Sequence, residues 1–178
     1  MPTPTYDLIA SFTVTSATSA NISFTNLPST YRHLVVHGAS KGSLSLYWEN
    51  LYGWVNSDTD STRQIQARYN DNGAPGNDFD YLVTSGGRIS GYHAAINATS
   101  TFHSHFTFAP RYSDANTYKI IFNDGAQQYY TQFDVGELYS RSAWWYQTAS
   151  SAITSITYDA QGDFQAGSTY YLYGLKSS

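Results

Sequence analysis

The residues best suited to chemistry in this sequence are two histidines, His103 and His105, in the segment FHSHFTF. Side chains of a β-strand alternate between its two faces, so this spacing directs both imidazoles to one side, as a His-x-His metal pair requires. A cupin-like metal site also needs a carboxylate a few residues later, whereas the nearest acid is Asp114, beyond a proline. His33 and His37 share a strand face and could complete a set, although no local pattern joins them to the first pair.

We therefore expect the histidine face of this segment to be a polar outer surface. Phe102, Phe106 and Phe108 hold the opposite face, which is the apolar one. His103 and His105 remain weak candidates for a metal ion, as in a metal-dependent cupin-type enzyme. No cofactor is assigned.

Other patterns associated with binding or catalysis are weak. The loop NDNGAPGND at 70–78 offers oxygen ligands of the kind that Ca²⁺ prefers, but it lacks the acid spacing of an EF-hand, and Asx turns account for the same composition. No G-x-S-x-G elbow and no phosphate-binding glycine motif occurs. Any two of Glu49, Glu137 and the eleven aspartates could converge in the fold as a carboxylate pair, but no motif in the sequence indicates which. We expect no enzymatic activity.

Aromatic residues are the remaining candidates for binding. Three roles stay open for them: core packing, contacts between subunits, and stacking on sugars. In a strand, two consecutive tryptophans point to opposite faces, so they cannot both belong to one core. The strongest candidates form two clusters: Trp144, Trp145 and Tyr146, and Tyr47, Trp48, Tyr52 and Trp54.

Composition limits the class of protein. The 178 residues fit one domain, and charged residues make up only 12% of them. Nine basic residues against thirteen acidic ones, scattered singly, form no cationic stripe, so we expect no nucleic-acid binding. No apolar stretch approaches the roughly 18 residues of a membrane span, so we expect no membrane partner. The absence of cysteine excludes disulfides and thiolate chemistry.

Alternating apolar and polar residues recur along the chain, in about eleven short segments separated by Gly, Asn and Asp turns. One example is the run from Tyr6 to Val14, and others surround Trp144, Ile153 and Tyr170. The stretches 49–63 and 70–78 are predicted loops. This pattern predicts an all-β protein: a single-domain antiparallel β-sandwich over 7–176, of jelly-roll type, preceded by an extended N-terminal arm at 1–6.

Four segments carry a family resemblance. The opening YDLIASFTVTSATSANISFTNLPSTYRHLVV ends in an element built on Pro28, Tyr31 and His33, and it is followed by ARYNDNGAPGNDFDYLVTSG and RYSDANTYKIIF. The C-terminal AITSITYDAQGDFQAGSTYYLYGLK is the strongest match. Together, and in this order, these segments resemble a family of small all-β virion proteins of tailed bacteriophages. The section 41–63 departs from the family pattern.

The resemblance implies a virion structural protein with no catalytic residues. The leading interpretation is a capsid-decorating (cement) protein that self-associates, with a trimer favoured, and binds the major capsid protein or other virion proteins. It would be assembled in the host cytoplasm. A head-fibre or tail-appendage component is the alternative, and so is a lectin-like module that binds a host glycan. The residues expected to contact partners are Pro2, Pro4 and Tyr6 of the arm, with Trp54, Trp144, Trp145 and Tyr146.

Overall fold

The computed structural model describes residues 6–44, 48–57, 64–71, 78–82, 90–94, 102–130, 135–146 and 151–176, with side chains for 6–44, 49–57, 102–126 and 151–176. Within these ranges the chain forms twelve strands and no helix, hence no helix that could cross a membrane. The strands are β1 (Tyr6–Thr13), β2 (Ile22–Phe24), β3 (His33–Ser40), β4 (Trp48–Val55), β5 (Gln64–Asp71), β6 (Asp78–Leu82), β7 (Ser90–Ala94), β8 (His103–Pro110), β9 (Lys119–Tyr130), β10 (Val135–Tyr146), β11 (Ile156–Ala160) and β12 (Thr169–Leu175).

The strands form two sheets that pack face to face. The large sheet has eight strands in the order β1-β12-β3-β8-β9-β10-β5-β6, and the small sheet has four in the order β2-β11-β4-β7. Every pairing between these strands is antiparallel. The prediction of an all-β antiparallel sandwich is confirmed.

The core lies between the sheets, where alternate residues of each strand turn inward. The large sheet contributes Leu34, Val36 and Leu172, and the small sheet contributes Leu51 and Val55, all buried. Tyrosine fills much of the remaining space, because three of the largest fully buried side chains are Tyr112, Tyr158 and Tyr170. Aromatic area thus compensates for the modest number of aliphatic residues.

Three boundaries predicted from the sequence were wrong. Residues 49–55 of the predicted loop 49–63 belong to β4, which pairs with β11 on one side and β7 on the other. Ile153 lies before β11, not within a strand, although its side chain is buried. Tyr6, assigned to the arm, is already the first residue of β1 and pairs with Leu175. Pro2 and Pro4 lie outside the described residues.

The side chain of Asn56 fixes the end of β4. Asn56, with a left-handed φ of 53°, accepts hydrogen bonds at Oδ1 from Thr154 N (2.7 Å) and Ser155 N (3.3 Å), and donates from Nδ2 to Ala152 O (2.8 Å). Asparagine tolerates this backbone conformation better than most residues. The end of β4 is thereby tied to the segment that leads into β11.

Candidate protein interface

The histidine pair lies inside the sandwich, which contradicts the expected polar outer surface. His103 and His105 are each 1% exposed, whereas Phe102 and Phe106 are 39% and 43% exposed. The alternation of β8 was predicted correctly, but the two faces were assigned the wrong way round. Its histidines face the core, and its phenylalanines face outward.

Glycines on the neighbouring strands make room for these imidazoles. Gly38 of β3 and Gly125 of β9 are the cross-strand partners of His105. A Cβ atom at Gly38 would lie 2.2 Å from His105 Cε1, and one at Gly125 would lie 2.4 Å from His103 Cε1. Any residue larger than glycine at position 38 or 125 would therefore collide with one of the two imidazole rings. The rings stack with centroids 5.7 Å apart and planes 19° apart.

The described residues do not support the metal hypothesis. No group of three or more His, Asp or Glu side chains among them is arranged to hold a metal ion. His33 and His37 cannot complete a set with His103 and His105, because they project from the opposite face of the large sheet. His37 pairs in register with the outward-facing Phe106, while His105 pairs with the inward-facing Gly38.

Two tyrosines pack around His105 in the core. The ring of His105 lies 5.6 Å from that of Tyr158 and 5.1 Å from that of Tyr170, measured between centroids. Tyr158 donates a hydrogen bond from its hydroxyl to Thr107 Oγ1 at 2.9 Å. Burial raises the pKa of both phenols well above the ordinary value, so they stay neutral. This cluster joins the two sheets and offers no open site for a substrate.

The buried carboxylate of Glu49 has a structural role. Its Oε2 accepts a hydrogen bond from Leu44 N (2.9 Å), and its Oε1 accepts one from Gly162 N (3.4 Å). Glu49 thus holds two loops together at the start of β4. Glu137 lies in β10, paired with Gln128, and its side chain is outside the described part of the structure.

The outer face of the large sheet carries the most prominent exposed feature. We use "outer face" for the outward-pointing residues of β1, β12, β3, β8 and β9. One cross-strand row on this face is entirely apolar or aromatic. It runs through Leu8, Tyr173, Val35, Phe108 and Phe122.

Several side chains on this face remain accessible to solvent. Leu8 is 57% exposed and Phe122 45%, and Tyr171 and Phe106 are also exposed. Tyr118, just before β9, is the most exposed large apolar residue described, at 73%. Exposed aromatic side chains that lie close together on one sheet face indicate a binding surface.

Charge is sparse on the outer face. Among the outward positions of β12, β3, β8 and β9, Asp124 is the one acid, and no Lys or Arg occurs. His37 Nε2 lies 3.4 Å from Ser104 Oγ, and His33 Nδ1 accepts a hydrogen bond from Arg111 N. Burial, with Arg32 and Arg111 nearby, lowers the pKa of His33, which favours its neutral form. Low charge with abundant aromatic residues is typical of the centre of a protein interface.

The residues that the sequence predicted to contact partner proteins lie on three different strands, β1, β4 and β10. Tyr6 is 56% exposed at the start of β1. Trp54 is half-buried in β4 and pairs with Thr157. Trp144 and Trp145 belong to β10 and pair with Ile121 and Ile120. Tyr146 ends that strand. The side chains of these three β10 residues lie outside the described part of the structure.

Sequence reasoning missed the residues that dominate the outer face, namely Phe106, Phe122 and Tyr171. The sequence did contain one signal: Gly38 and Gly125 lie on the same sheet face as the two histidine rings, where a larger side chain would leave no space for an imidazole.

Comparisons of the chain with protein-family models, with curated proteins and with solved structures found no match.

Proposed function

We propose that this chain is a structural protein of a tailed-bacteriophage particle, and specifically a capsid-decorating protein with no catalytic activity. The observation that carries the proposal is the exposed aromatic outer face of the large sheet. Such a face is suited to contacts with other protein copies in an assembly. The family resemblance of the four sequence segments supplies the virion context.

The strand order adds support. When the hairpins β5-β6 and β9-β10 are set aside, the remaining strands form sheets in the orders β1-β12-β3-β8 and β2-β11-β4-β7. We infer that this is the order of a jelly roll, in which successive strands alternate between two four-stranded sheets. Jelly rolls occur in viral capsid proteins and also in lectins, so the topology favours a binding or structural role without choosing between them.

The chemistry of the outer face favours protein over sugar as its ligand. The exposed residues at its centre, Phe106 and Phe122, provide apolar area but no hydrogen-bonding group. Sugar hydroxyls need donors and acceptors beside the aromatic ring; His37 and Asp124 flank Phe106, but the row through Phe108 offers only the phenol of Tyr173. A partner that buries apolar side chains gains more from this surface.

Binding to particles that lack this chain tests the proposal. We expect the purified protein to cosediment with undecorated capsids to a saturating level, with hundreds of copies per particle. Phe106→Ser combined with Phe122→Ser should abolish this binding. Phe12→Ser is the matched control, because Phe12 is 39% exposed but pairs with the inward-facing Tyr170 and lies off the outer face.

Several results would contradict the proposal. Absence of cosedimentation would overturn it, and so would undiminished binding by the double variant. A handful of copies per particle would favour a head-fibre or tail appendage over shell decoration. A shift of tryptophan fluorescence with millimolar host polysaccharide, without capsid binding, would favour the lectin-like alternative.

A further inference from the structure

The outward side of the small sheet differs in chemistry from the outer face of the large sheet. We use "small-sheet face" for the outward-pointing residues of β2, β11 and β4. Alternation identifies them, because Ile156, Tyr158 and Leu51 on these strands turn into the core. The residues of this face are Ser23 on β2, Thr157 and Asp159 on β11, Asn50, Tyr52 and Trp54 on β4, and Gln161 directly after β11.

Two aromatic side chains lie in line along β4 on this face. Tyr52 and Trp54 are two residues apart in the strand, so they point the same way and their Cα atoms are about 6.7 Å apart. Both side chains are half-buried. Within the described part of the chain, the indole N–H of Trp54 has no hydrogen-bond acceptor. This side chain therefore keeps both a ring surface and a donor for a ligand.

Polar side chains lie in register beside both rings. Thr157 is the cross-strand partner of Trp54, and Asp159 is the partner of Tyr52. The Ser23 and Thr157 hydroxyl oxygens are 3.0 Å apart, so two hydroxyl groups accompany the indole. Directly opposite residues of an antiparallel pair have Cβ atoms about 5 Å apart. One small ligand can therefore touch an aromatic ring and its polar neighbour together.

Two of the polar groups keep hydrogen-bonding capacity for a ligand. Asp159 is half-buried, burial raises the pKa of its carboxyl group, and no described residue donates a hydrogen bond to it. A hydroxyl donor would stabilise this partly desolvated carboxylate. The exposed Gln161 accepts a hydrogen bond at Oε1 from Asn50 Nδ2 (2.8 Å), which leaves its own Nε2 as a donor. The face thus offers both an acceptor and a donor near the two rings.

We propose that the small-sheet face binds an uncharged, extended glycan, whose sugar rings stack on Tyr52 and Trp54 while a hydroxyl group donates to Asp159. This inference goes beyond the proposed function, because it concerns the opposite side of the sandwich from the outer face. The C–H face of a pyranose packs on an aromatic ring, and its rim of hydroxyls needs donors and acceptors beside that ring. The carboxylate of Asp159 disfavours an acidic polysaccharide.

The positions of the two rings select the shape of the glycan. Because Tyr52 and Trp54 project from one strand, a sugar chain that stacks on both must run straight along β4. Glucose units in β linkage form flat, extended chains with equatorial hydroxyls, whereas the α-linked units of maltohexaose coil. Cellohexaose and chitohexaose, which are both β-linked, therefore match the site better than maltohexaose.

Isothermal titration calorimetry with these three hexasaccharides tests the site. We expect at least one β-linked hexasaccharide to bind with a Kd of about 1 mM or lower, and maltohexaose to bind at least tenfold more weakly. Trp54→Ala and Asp159→Ala should each weaken binding at least tenfold, with circular dichroism verifying the fold. Tyr118→Ala is the matched control, because it removes a 73% exposed aromatic side chain beside the large sheet and should leave the Kd unchanged.

Affinity electrophoresis gives a second test, which addresses the charge of the glycan. Hydroxyethylcellulose and carboxymethylcellulose share a β-linked glucose backbone, but only the second is anionic. In native gels, hydroxyethylcellulose should retard the wild-type chain and carboxymethylcellulose should not. Asp159→Ala should reduce the difference between the two polymers, because the repelling carboxylate is gone. Equal retardation of the wild-type chain by both polymers would contradict the assigned role of Asp159.

Several outcomes would overturn the inference. Failure of both β-linked hexasaccharides to bind would do so, as would equal affinity for maltohexaose or undiminished binding by the folded variants. Loss of capsid binding in Trp54→Ala, without sugar binding by the wild type, would show that this face contacts protein. Sugar binding by a chain that never cosediments with capsids would refute the proposed function and leave this inference standing. Capsid binding without sugar binding would do the reverse.

Discussion

Gly38→Ala should strongly destabilise the protein, because it forces a methyl group into the space of a buried histidine. The new Cβ would lie 2.2 Å from His105 Cε1 and 2.9 Å from Tyr170 Cε1. His105 cannot yield easily, since its ring packs against Tyr158, Tyr170 and His103 with centroids 5.1–5.7 Å apart. The substitution must therefore move several core rings together.

The magnitude follows from two opposing effects. Overpacking of a core typically costs about 1–3 kcal/mol, whereas replacing glycine with alanine inside a strand gains about 0.5–1 kcal/mol. Because the approach of 2.2 Å is severe, the upper end of the overpacking cost applies, and we expect a net loss near 2 kcal/mol. With a urea dependence of about 2 kcal/mol per molar, this loss lowers the unfolding midpoint by about 1 M.

A double-mutant cycle isolates the contact with His105. In a His105→Ala background the two closest contacts are gone and the ring of Tyr170, 2.9 Å from the new Cβ, can shift into the vacated space, so Gly38→Ala should become nearly neutral. Gly174→Ala is the matched control, because its Cβ would lie 2.3 Å from Tyr31 Cγ. Tyr31 is only half-buried and can swing outward, so the loss there should be smaller. Equal effects of Gly38→Ala in both backgrounds would refute the reasoning.

Substitutions at three further residues test the polar contacts of the fold. Asn56→Ala should lower the unfolding free energy by about 2–3 kcal/mol, because several hydrogen bonds are lost. Asn56→Asp keeps the accepting oxygen, so urea unfolding should show a smaller loss of unfolding free energy. Equal losses for the two variants would contradict the role of Asn56 as a hydrogen-bond acceptor. Glu49→Gln should cost about 1–2 kcal/mol and Glu49→Ala more, so identical melting temperatures would contradict the role of the carboxylate. Because burial raises the pKa of Tyr158, unfolded chains ionise first, and stability should fall as the pH rises above about 10. Tyr158→Phe should reduce that pH dependence, and an unchanged dependence would show that this phenol does not contribute.

Much of the fold was predictable from local patterns. Alternation identified the strands around Tyr6, His33 and Tyr170, because a half-buried strand repeats every two residues whatever its neighbours. Residues 49–55 were predicted as a loop because Asn50 and Gly53 are residue types that are common in loops. Their strand is defined by pairing with β11 and β7, which are distant in sequence.

The orientation of β8 was not predictable from its own sequence. Period-two alternation separates Phe106 from His105, but it does not say which set faces the core. Hydrophobicity predicted that the phenylalanines of β8 would face the core, whereas in the structure the histidines face the core and Phe106 faces outward. The deciding contacts come from Gly38 and Gly125 on the adjacent strands, where only a missing side chain leaves space for an imidazole. The candidate interface was missed for the same reason.

The inverted orientation of β8 links the core to the proposed interface. Turning His103 and His105 inward obliges the alternate residues of the same strand to point outward, so Phe106 and Phe108 become surface residues. The exposed part of these rings adds little to the folding free energy, because only apolar area that is removed from water is stabilising. A partner that covers the outer face would recover that contribution. The same alternation that places polar rings in the core therefore provides the apolar surface for assembly.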